Sequence, residues 1–234
     1  MIDTTFDVRT DARGKDADKY SPTLRRYHKH LWSKPLPNGT PFTLSDRHPD
    51  AYLHHSSHLG EFFLASDSVI PSFRSWKSMQ NVTQSVPSEF LDNFQKVNHT
   101  IGGFMIFPGN KVDRKMTING ARGFTSQISD RFDLTLECIR RHYNGEDSPL
   151  ATTLTRYADF FELFCDFTGY VRFFLLEDLV KGGNEVEFFT PFDGFGSRPV
   201  PHSVGAYQEY AQRSLEWVSA RNRRIEALGI DLSE

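Results

Sequence analysis

Phenylalanine is concentrated in one short stretch of this chain. Of its 21 phenylalanine residues, eight lie between positions 156 and 189, in the run RYADFFELFCDFTGYVRFFLLEDLVKGGNEVEFF. Aromatic side chains bury large apolar areas, and each contributes roughly 2 kcal/mol or more when it leaves water. So many rings in so few residues predict a stable, aromatic-rich core. They indicate a packed fold and no particular activity.

The length of the chain suits a single hydrophobic core. It has 234 residues, and one core stops growing only at roughly 250 residues. Residues 1–20 alternate in charge without an apolar run, so we expect a polar lead-in there and a single globular domain over residues 21–234. The formal net charge of −3 gives neither a general basic surface for nucleic acid nor the acidic excess typical of disorder.

Neither a membrane segment nor a disulfide framework is expected. No stretch has the ~20 apolar residues that a spanning helix requires, and the first residues lack the pattern of a signal peptide. The two cysteines, Cys138 and Cys165, each lie within an apolar helical pattern, which predicts buried, reduced thiols. These features favour a soluble cytoplasmic protein without a membrane partner.

Apolar spacing and capping residues predict an α+β fold, a single domain in which helices dominate. Ser21 and Ser203 are the expected N-caps of the first and last helices, and Pro35 prevents the first from continuing. Between them we expect helices over residues 89–98, 126–143, 150–164 and 170–180. Strands are expected over residues 62–69, 103–107, 116–118 and 186–189, in a small mixed sheet with the aromatic helices packed on one face.

His54, His58 and Glu61 are the candidates for a divalent metal site or for acid–base catalysis. Imidazole and carboxylate are zinc ligands, and on a helix the two histidines would share one face, four residues apart. The segment lacks the glutamate that follows the first histidine in the zinc-protease helix motif. A polar loop rich in histidine is the structural alternative.

The first helix carries a basic face with aromatic residues between the cations. Arg25, Arg26 and Lys29 are candidate phosphate contacts, and Tyr27 or Trp32 is a candidate ring for stacking on a base. Proteins that bind single-stranded nucleic acid or nucleotides combine cations and rings in this way. A solvated helix face gives the same pattern.

Two glycine-containing loops carry further cations. Lys111 ends the segment FPGNK, and Arg122 lies in the segment NGARG, just before the helix expected from residue 126. Glycines let backbone N–H groups approach an anion closely, so both cations are candidate phosphate contacts. The glycine spacing matches neither the Walker loop nor the dinucleotide fingerprint, and ordinary hairpin turns are the alternative.

Several long segments together resemble a known family. SPTLRRYHKHLWSKPLPNG, TINGARGF, DRFDLTLECIRRHY, and SPL followed by RYADFFELF are similar to an uncharacterised family of bacterial proteins of about this length, classed only as a domain of unknown function. The resemblance covers nearly the whole chain. It implies a soluble, single-domain bacterial protein and brings no activity or catalytic residue with it.

These observations support two hypotheses from different classes. The first is an anion-binding domain acting on a nucleotide or nucleic acid, in which a hydrolytic activity would use His54, His58 and Glu61. The second is a non-enzymatic protein-interaction module, including a homodimer that uses the last helix through Tyr207, Tyr210, Trp217 and Val218. Both an enzyme and a binding module are compatible with the sequence.

Overall fold

The computed structural model of the chain describes residues 1–196 and 198–232. Over these residues the α-helices are α1 Ala17–Tyr20, α2 Pro22–Trp32, α3 Gln80–Thr83, α4 Ser88–Asn98, α5 Ile118–Phe124, α6 Phe132–Tyr143, α7 Ala151–Thr155, α8 Ala158–Glu162, α9 Phe167–Phe173 and α10 Val204–Ala227. The strands are β1 Leu53–Ser57, β2 Gly60–Ser68, β3 Phe104–Pro108, β4 Val180–Lys181 and β5 Glu185–Val186. Short 3-10 helices span Lys77–Met79, Ile101–Gly103 and Glu177–Leu179. The expected helix-dominated α+β class is confirmed.

Two small sheets accompany the helices. Strands β1, β2 and β3 form one sheet in that order, and β4 pairs with β5 in a separate hairpin. Every strand pair that the structure describes is antiparallel, which is more regular than the mixed sheet expected. Strand β1 was not among the expected strands, because its sequence LHHSS has few β-branched or aromatic residues. Its residue His55 is buried and stacks on Phe42, with 4.2 Å between the ring centroids.

The first and last helices begin where their capping residues predict. The Ser21 hydroxyl accepts a hydrogen bond from the Leu24 N–H, which satisfies one of the unpaired donors of the first turn. Ser203 caps α10 in the same way through the Ala206 N–H. The helix expected over residues 89–98 and the strands expected over 62–69 and 103–107 are also confirmed, with ends shifted by one or two residues.

The strand expected over residues 116–118 is wrong, because this segment leads into a helix. The Thr117 hydroxyl accepts a hydrogen bond from the Gly120 N–H at 3.3 Å, so threonine acts here as the N-cap of α5. The helix expected from residue 126 begins only at α6. Ser129 and Asp130, just before it, have φ angles of 50° and 63°, which are incompatible with a right-handed helix.

Two expected helices in the aromatic run are shorter than their apolar pattern predicts. The segment over residues 150–164 divides into α7 and α8 at Tyr157, whose hydroxyl donates to the Asn110 carbonyl at 2.8 Å. Helix α9 ends well before residue 180, because Leu175 has a φ angle of 57° and the Leu176 N–H donates to the Val171 carbonyl. The strand expected over residues 186–189 is reduced to β5.

The aromatic run forms a core, as its composition predicts. The Phe164 ring is fully buried. Its centroid lies close to three other ring centroids, at 4.9 Å from Phe173, 5.2 Å from Phe174 and 5.3 Å from Tyr170. Trp32 at the end of α2 joins this cluster, 5.1 Å from Phe174. Tilted and edge-to-face pairs at such distances are favourable, so the cluster holds α2 against α9.

The first 20 residues pack against the rest of the chain. Val8 is fully buried, and its N–H donates to the His99 carbonyl at 2.9 Å. The Asp11 carboxylate accepts a hydrogen bond of 2.6 Å from the Ser21 hydroxyl at the start of α2. The lead-in is polar in composition, and it nevertheless contributes to the core.

Among the residues that the structure describes, three arginine side chains are almost completely buried: Arg122, Arg131 and Arg221. The first two pair with aspartates. Arg221, on α10, is bound instead by backbone oxygens, since its Nη1 donates to the carbonyls of Gly102 at 2.9 Å and Phe104 at 2.7 Å. Burial lowers the pKa of Arg221 to about 9. Because buried donors must be satisfied, each of these side chains fixes the elements that surround it.

Helix α10 connects distant parts of the chain. The Tyr207 hydroxyl donates to the Ser72 carbonyl at 2.8 Å, and the Asn222 side-chain oxygen accepts from the Gly102 N–H at the same distance. A Cβ atom on Gly102 would lie 2.5 Å from that oxygen, so this contact requires glycine. None of the described helices, α10 included, is both long and apolar enough to cross a membrane.

Candidate functional site

The cations predicted to bind phosphate do not form one surface. The Arg25 guanidinium donates to the carbonyls of Tyr52 at 2.6 Å and Asp46 at 2.7 Å. Lys29 is 3.1 Å from the Asp46 carboxylate. Arg25 and Lys29 therefore hold the 46–52 loop against α2. Two predicted phosphate contacts are exposed and make no ion pair with any described residue: Arg26 and Lys111.

Arg122 is not available to a ligand, contrary to its expected role as a phosphate contact. Its side chain is completely buried and ion-paired with Asp67. It also donates to the Thr135 hydroxyl at 2.9 Å and to the Asp130 carbonyl at 2.8 Å. Each of the three guanidinium nitrogens thus donates to a group of the protein, so Arg122 is structural.

The two predicted stacking rings also belong to the core. Tyr27 is 4% exposed and Trp32 is 0% exposed, so neither presents a face to a base. The Trp32 indole N–H donates to His28 Nδ1 at 2.9 Å, and the other ring nitrogen of His28 lies 3.1 Å from the Ser66 hydroxyl. Burial, with a contribution from Arg221, lowers the pKa of His28 to about 3, so this histidine is neutral.

The predicted histidine site lacks the helical geometry on which it rested. His54 lies on β1, and His58 lies in the turn that follows it. The two histidines therefore do not lie one turn apart on a helix face, which is the arrangement on which the zinc prediction depended. His54 Nε2 is instead 3.0 Å from Glu61 Oε1 on β2. The described residues contain no group of three histidine, cysteine or carboxylate side chains that could hold a metal.

The residues proposed for a dimer interface on the last helix face inward. Tyr207, Tyr210 and Val218 are completely buried, and Trp217 is 3% exposed. The Trp217 ring stacks on Phe132 with 5.3 Å between centroids. These four side chains form part of the core, so a second copy of the chain does not meet them.

An acidic cluster surrounds the buried Arg122. Asp67 and Asp130 both pair with Arg122, while the Ser68 N–H donates to the Asp18 carboxylate at 3.2 Å. Burial raises the pKa of Asp67 and of Asp130, although the Arg122 charge opposes the change. Burial also raises the pKa of Asp18, to about 6. The single Arg122 guanidinium does not neutralise three carboxylates. The aspartates of this cluster therefore stay protonated at higher pH than free aspartates do.

Replacing Asp18 with asparagine is expected to stabilise the protein at neutral pH. The native carboxyl has a pKa of about 6, above its ordinary value of 3.8, so the folded state keeps this proton while the unfolded state loses it. Stability therefore falls as pH rises from ~4 to ~6. Asp18→Asn removes that loss, and urea denaturation should show a gain of about 1–2 kcal/mol at pH ~7.5 and little change at pH ~4.

Asp92→Asn is the control for this experiment, because the Asp92 side chain is 74% exposed. Its unfolding curve should match that of the unmodified protein at both pH values. An equal gain in the free energy of unfolding from Asp18→Asn at both pH values would show that the gain does not come from ionisation of the Asp18 carboxyl.

A cleft between α9 and the segment after α2 brings unpaired cations together. Its volume is about 510 Å³. Its lining includes Lys34, Pro37, Cys165, Thr168 and Arg172. A Cβ atom on Gly169 would lie 3.2 Å from the Pro37 side chain and much closer to the Phe164 carbonyl, so glycine allows the two walls to approach. No described carboxylate lies within ion-pair distance of Lys34 or Arg172.

Two residues of this cleft differ from expectation. Cys165 was expected to be a buried thiol, but it is exposed, at a position with a φ angle of 67°. Cys138 is buried as expected, and burial raises its pKa to about 12. Arg172 was overlooked because it lies within the most apolar part of the aromatic run. The sequence nevertheless distinguishes Arg172, because it is the only charged residue of the helical segment FTGYVRF, whose aromatic residues are buried.

A larger cleft, of about 710 Å³, lies between the 178–192 segment and α10. Its charges are mixed and are largely paired within the protein. Lys181 pairs with Glu187, and Arg213 pairs with Glu209 at 2.8 Å. Its lining carboxylates, Asp178, Glu185, Glu187 and Glu216, outnumber its cations, Lys181, Arg213 and Arg223. Although it is larger, this cleft is the weaker candidate, because it offers no converging set of unpaired groups with one charge.

Comparison with known proteins identifies a family without an activity. The model of a family of unknown function, DUF6994, matches residues 2–225, a range that includes Lys34, Cys165 and Arg172. One search of curated proteins and one of solved structures found no match. Since the matched range covers nearly the whole chain, the protein belongs to the family of unknown function DUF6994.

Proposed function

We propose that the protein binds a small molecule carrying a carboxylate or a phosphate group in the cleft lined by Lys34 and Arg172. The observation that carries this proposal is the presence of two cations, without carboxylate partners, in the same cleft. By contrast, the buried cations Arg122 and Arg131 are paired with aspartates. Unpaired cations that share a concave site are what recognition of an anion requires.

Among the described lining residues of this cleft, one is a carboxylate. Asp166 is the N-cap of α9, and its side chain accepts a hydrogen bond of 2.7 Å from the Gly169 N–H. Lys34 and Arg172 therefore give the lining a net positive charge. Arginine adds a planar pair of donors that matches the geometry of a carboxylate or phosphate.

The nucleotide hypothesis is retained here in a narrower form. Phosphate recognition moves from the surface expected around Arg25 and Arg122 to this cleft, and a nucleotide is one member of the ligand class. A nucleic-acid partner, a second copy of the chain, and a bacterial cytoplasmic setting stay predictions. The free state of both cysteines is consistent with a reducing compartment.

Arg172→Ala is expected to weaken anion binding without affecting stability. The Arg172 side chain is exposed and bonds to no other side chain that the structure describes, so its removal should leave the melting temperature unchanged. Loss of one charge-assisted contact should lower affinity by about ten- to a hundredfold. Isothermal titration of phosphate, nucleoside phosphates and small carboxylates into the purified protein measures this effect.

Arg26→Ala provides the matched control, since Arg26 is also exposed and without an ion-pair partner, and it lies outside the cleft lining. It should bind these anions as the unmodified protein does. Equal losses from both variants would indicate nonspecific attraction by surface charge. The proposal is wrong if none of the anions binds to the unmodified protein.

A further inference from the structure

We propose that Lys34 is a nucleophilic amine that forms an imine with the bound molecule. The ligand class is then an aldehyde or a ketone that carries a carboxylate or phosphate. This inference rests on the proposed function, because Arg172 is the group that holds the anionic end. It adds a covalent step that anion binding alone does not require.

The position of the Lys34 amine carries the inference. Its Nζ lies 4.7 Å from the centroid of the Phe173 ring and 5.1 Å from that of the Trp32 ring. These rings are almost completely buried, so they fix the end of a side chain that is normally mobile. Lys34 and Phe173 both line the cleft, which is large enough for a small ligand.

Burial favours the neutral form of the Lys34 amine, whereas the two ring faces attract its charged form. Burial, together with the positive charge of Arg221, lowers the pKa of Lys34 to about 8, and Glu177 opposes this change. The other charged groups near it are Arg172 and Asp166, which line the same cleft. At pH ~8 about half of such amines are unprotonated, whereas an ordinary lysine is unprotonated in roughly one molecule in 250. A lysine becomes a nucleophile in this way when it is desolvated beside another cation.

The chemistry balances without an added oxidant or reductant. The lone pair of the neutral Lys34 amine attacks the carbonyl carbon, and the carbonyl oxygen takes up a proton. The resulting carbinolamine loses this oxygen as water, and the nitrogen gives up its remaining protons as the carbon–nitrogen double bond forms. One amine and one carbonyl thus yield one imine and one water molecule. The cleft is open, so the water leaves to solvent.

The experiment uses glyoxylate as the probe, since it combines an aldehyde with a carboxylate. The full chain is incubated with glyoxylate and cyanoborohydride, which reduces an imine to a stable carboxymethyl-amine, and labelled lysines are identified by peptide mass spectrometry. Lys34 should be labelled at least about tenfold faster than the exposed Lys111 at pH ~8. The rate at Lys34 should rise with pH to a half-maximum near its pKa of about 8.

Two variants separate the inference from the function on which it rests. Arg172→Ala should reduce labelling of Lys34 and leave labelling of Lys111 unchanged. Lys34→Arg keeps a cation in the cleft, so it should keep most of the phosphate binding while abolishing labelling at this position. If phosphate binds but all lysines are labelled at similar rates, imine formation is wrong and anion binding stands. If neither phosphate nor glyoxylate is bound, both proposals are wrong.

Discussion

Arg122→Ala should lower the free energy of unfolding by about 3–5 kcal/mol, because it leaves buried carboxylates without a counter-charge. Arg122 is completely buried, and its guanidinium pairs with Asp67 and lies 3.5 Å from an Asp130 side-chain oxygen. It also bonds to the Thr135 hydroxyl and thereby joins β2, α5 and α6. Urea denaturation should show a lower midpoint with an unchanged slope.

The matched control is Arg26→Ala, which removes the same side chain from an exposed position and should change stability by no more than about 0.5 kcal/mol. Adding Asp67→Asn to Arg122→Ala should recover part of the loss, since one uncompensated charge is then absent. Equal stability of Arg122→Ala and Arg26→Ala would contradict the structural role of Arg122.

A second large loss, also of about 3–5 kcal/mol, is expected for Arg131→Ala. Arg131 forms an ion pair with Asp133, and both side chains are at most 1% exposed. The Asp133 carboxylate also accepts a hydrogen bond of 2.9 Å from the Phe189 N–H, and Arg131 donates to the Pro199 carbonyl at 3.0 Å. The pair therefore attaches both ends of the 189–199 segment to the start of α6.

Arg131→Ala should also loosen the backbone near Phe189, in addition to lowering the free energy of unfolding of the whole protein. Hydrogen exchange in Arg131→Ala should accelerate most at the Phe189 amide, whose acceptor is the Asp133 carboxylate left unpaired by the substitution. Arg213→Ala is the control, because Arg213 forms an exposed pair with Glu209 within one helix, and such pairs contribute about 0.3–0.5 kcal/mol. A uniform increase in exchange across the chain would show that the pair does not specifically hold this segment.

The parts of the fold that depend on local sequence could be predicted. Ser21 and Ser203 are N-caps whose partners lie three residues away, and the aromatic run is apolar enough to indicate its own burial. The break between α7 and α8 depends instead on a bond from Tyr157 to the distant Asn110 carbonyl. Likewise, β1 is a strand because β2 pairs with it, and its own residues have low strand propensity.

The candidate site was harder to predict than the fold, for a physical reason. Sequence shows which residues are charged, and it does not show which charges are already paired. In the sequence, Arg25 and Arg122 cannot be distinguished from arginines that bind a ligand. In the structure, a carbonyl and an aspartate from other segments accept their hydrogen bonds. Arg172 and Lys34 are 138 positions apart, and only the packing of α9 against the end of α2 places them in one cleft.

The backbone contacts of Arg221 bear on when the chain folds during its synthesis. This residue holds the carbonyls of Gly102 and Phe104, which lie 119 and 117 positions earlier. Those carbonyls are synthesised long before Arg221, so the strand that begins at Phe104 lacks its bond to α10 until α10 has been made. Completion of the fold therefore follows synthesis of α10, and until then the apolar surface that α10 covers is exposed.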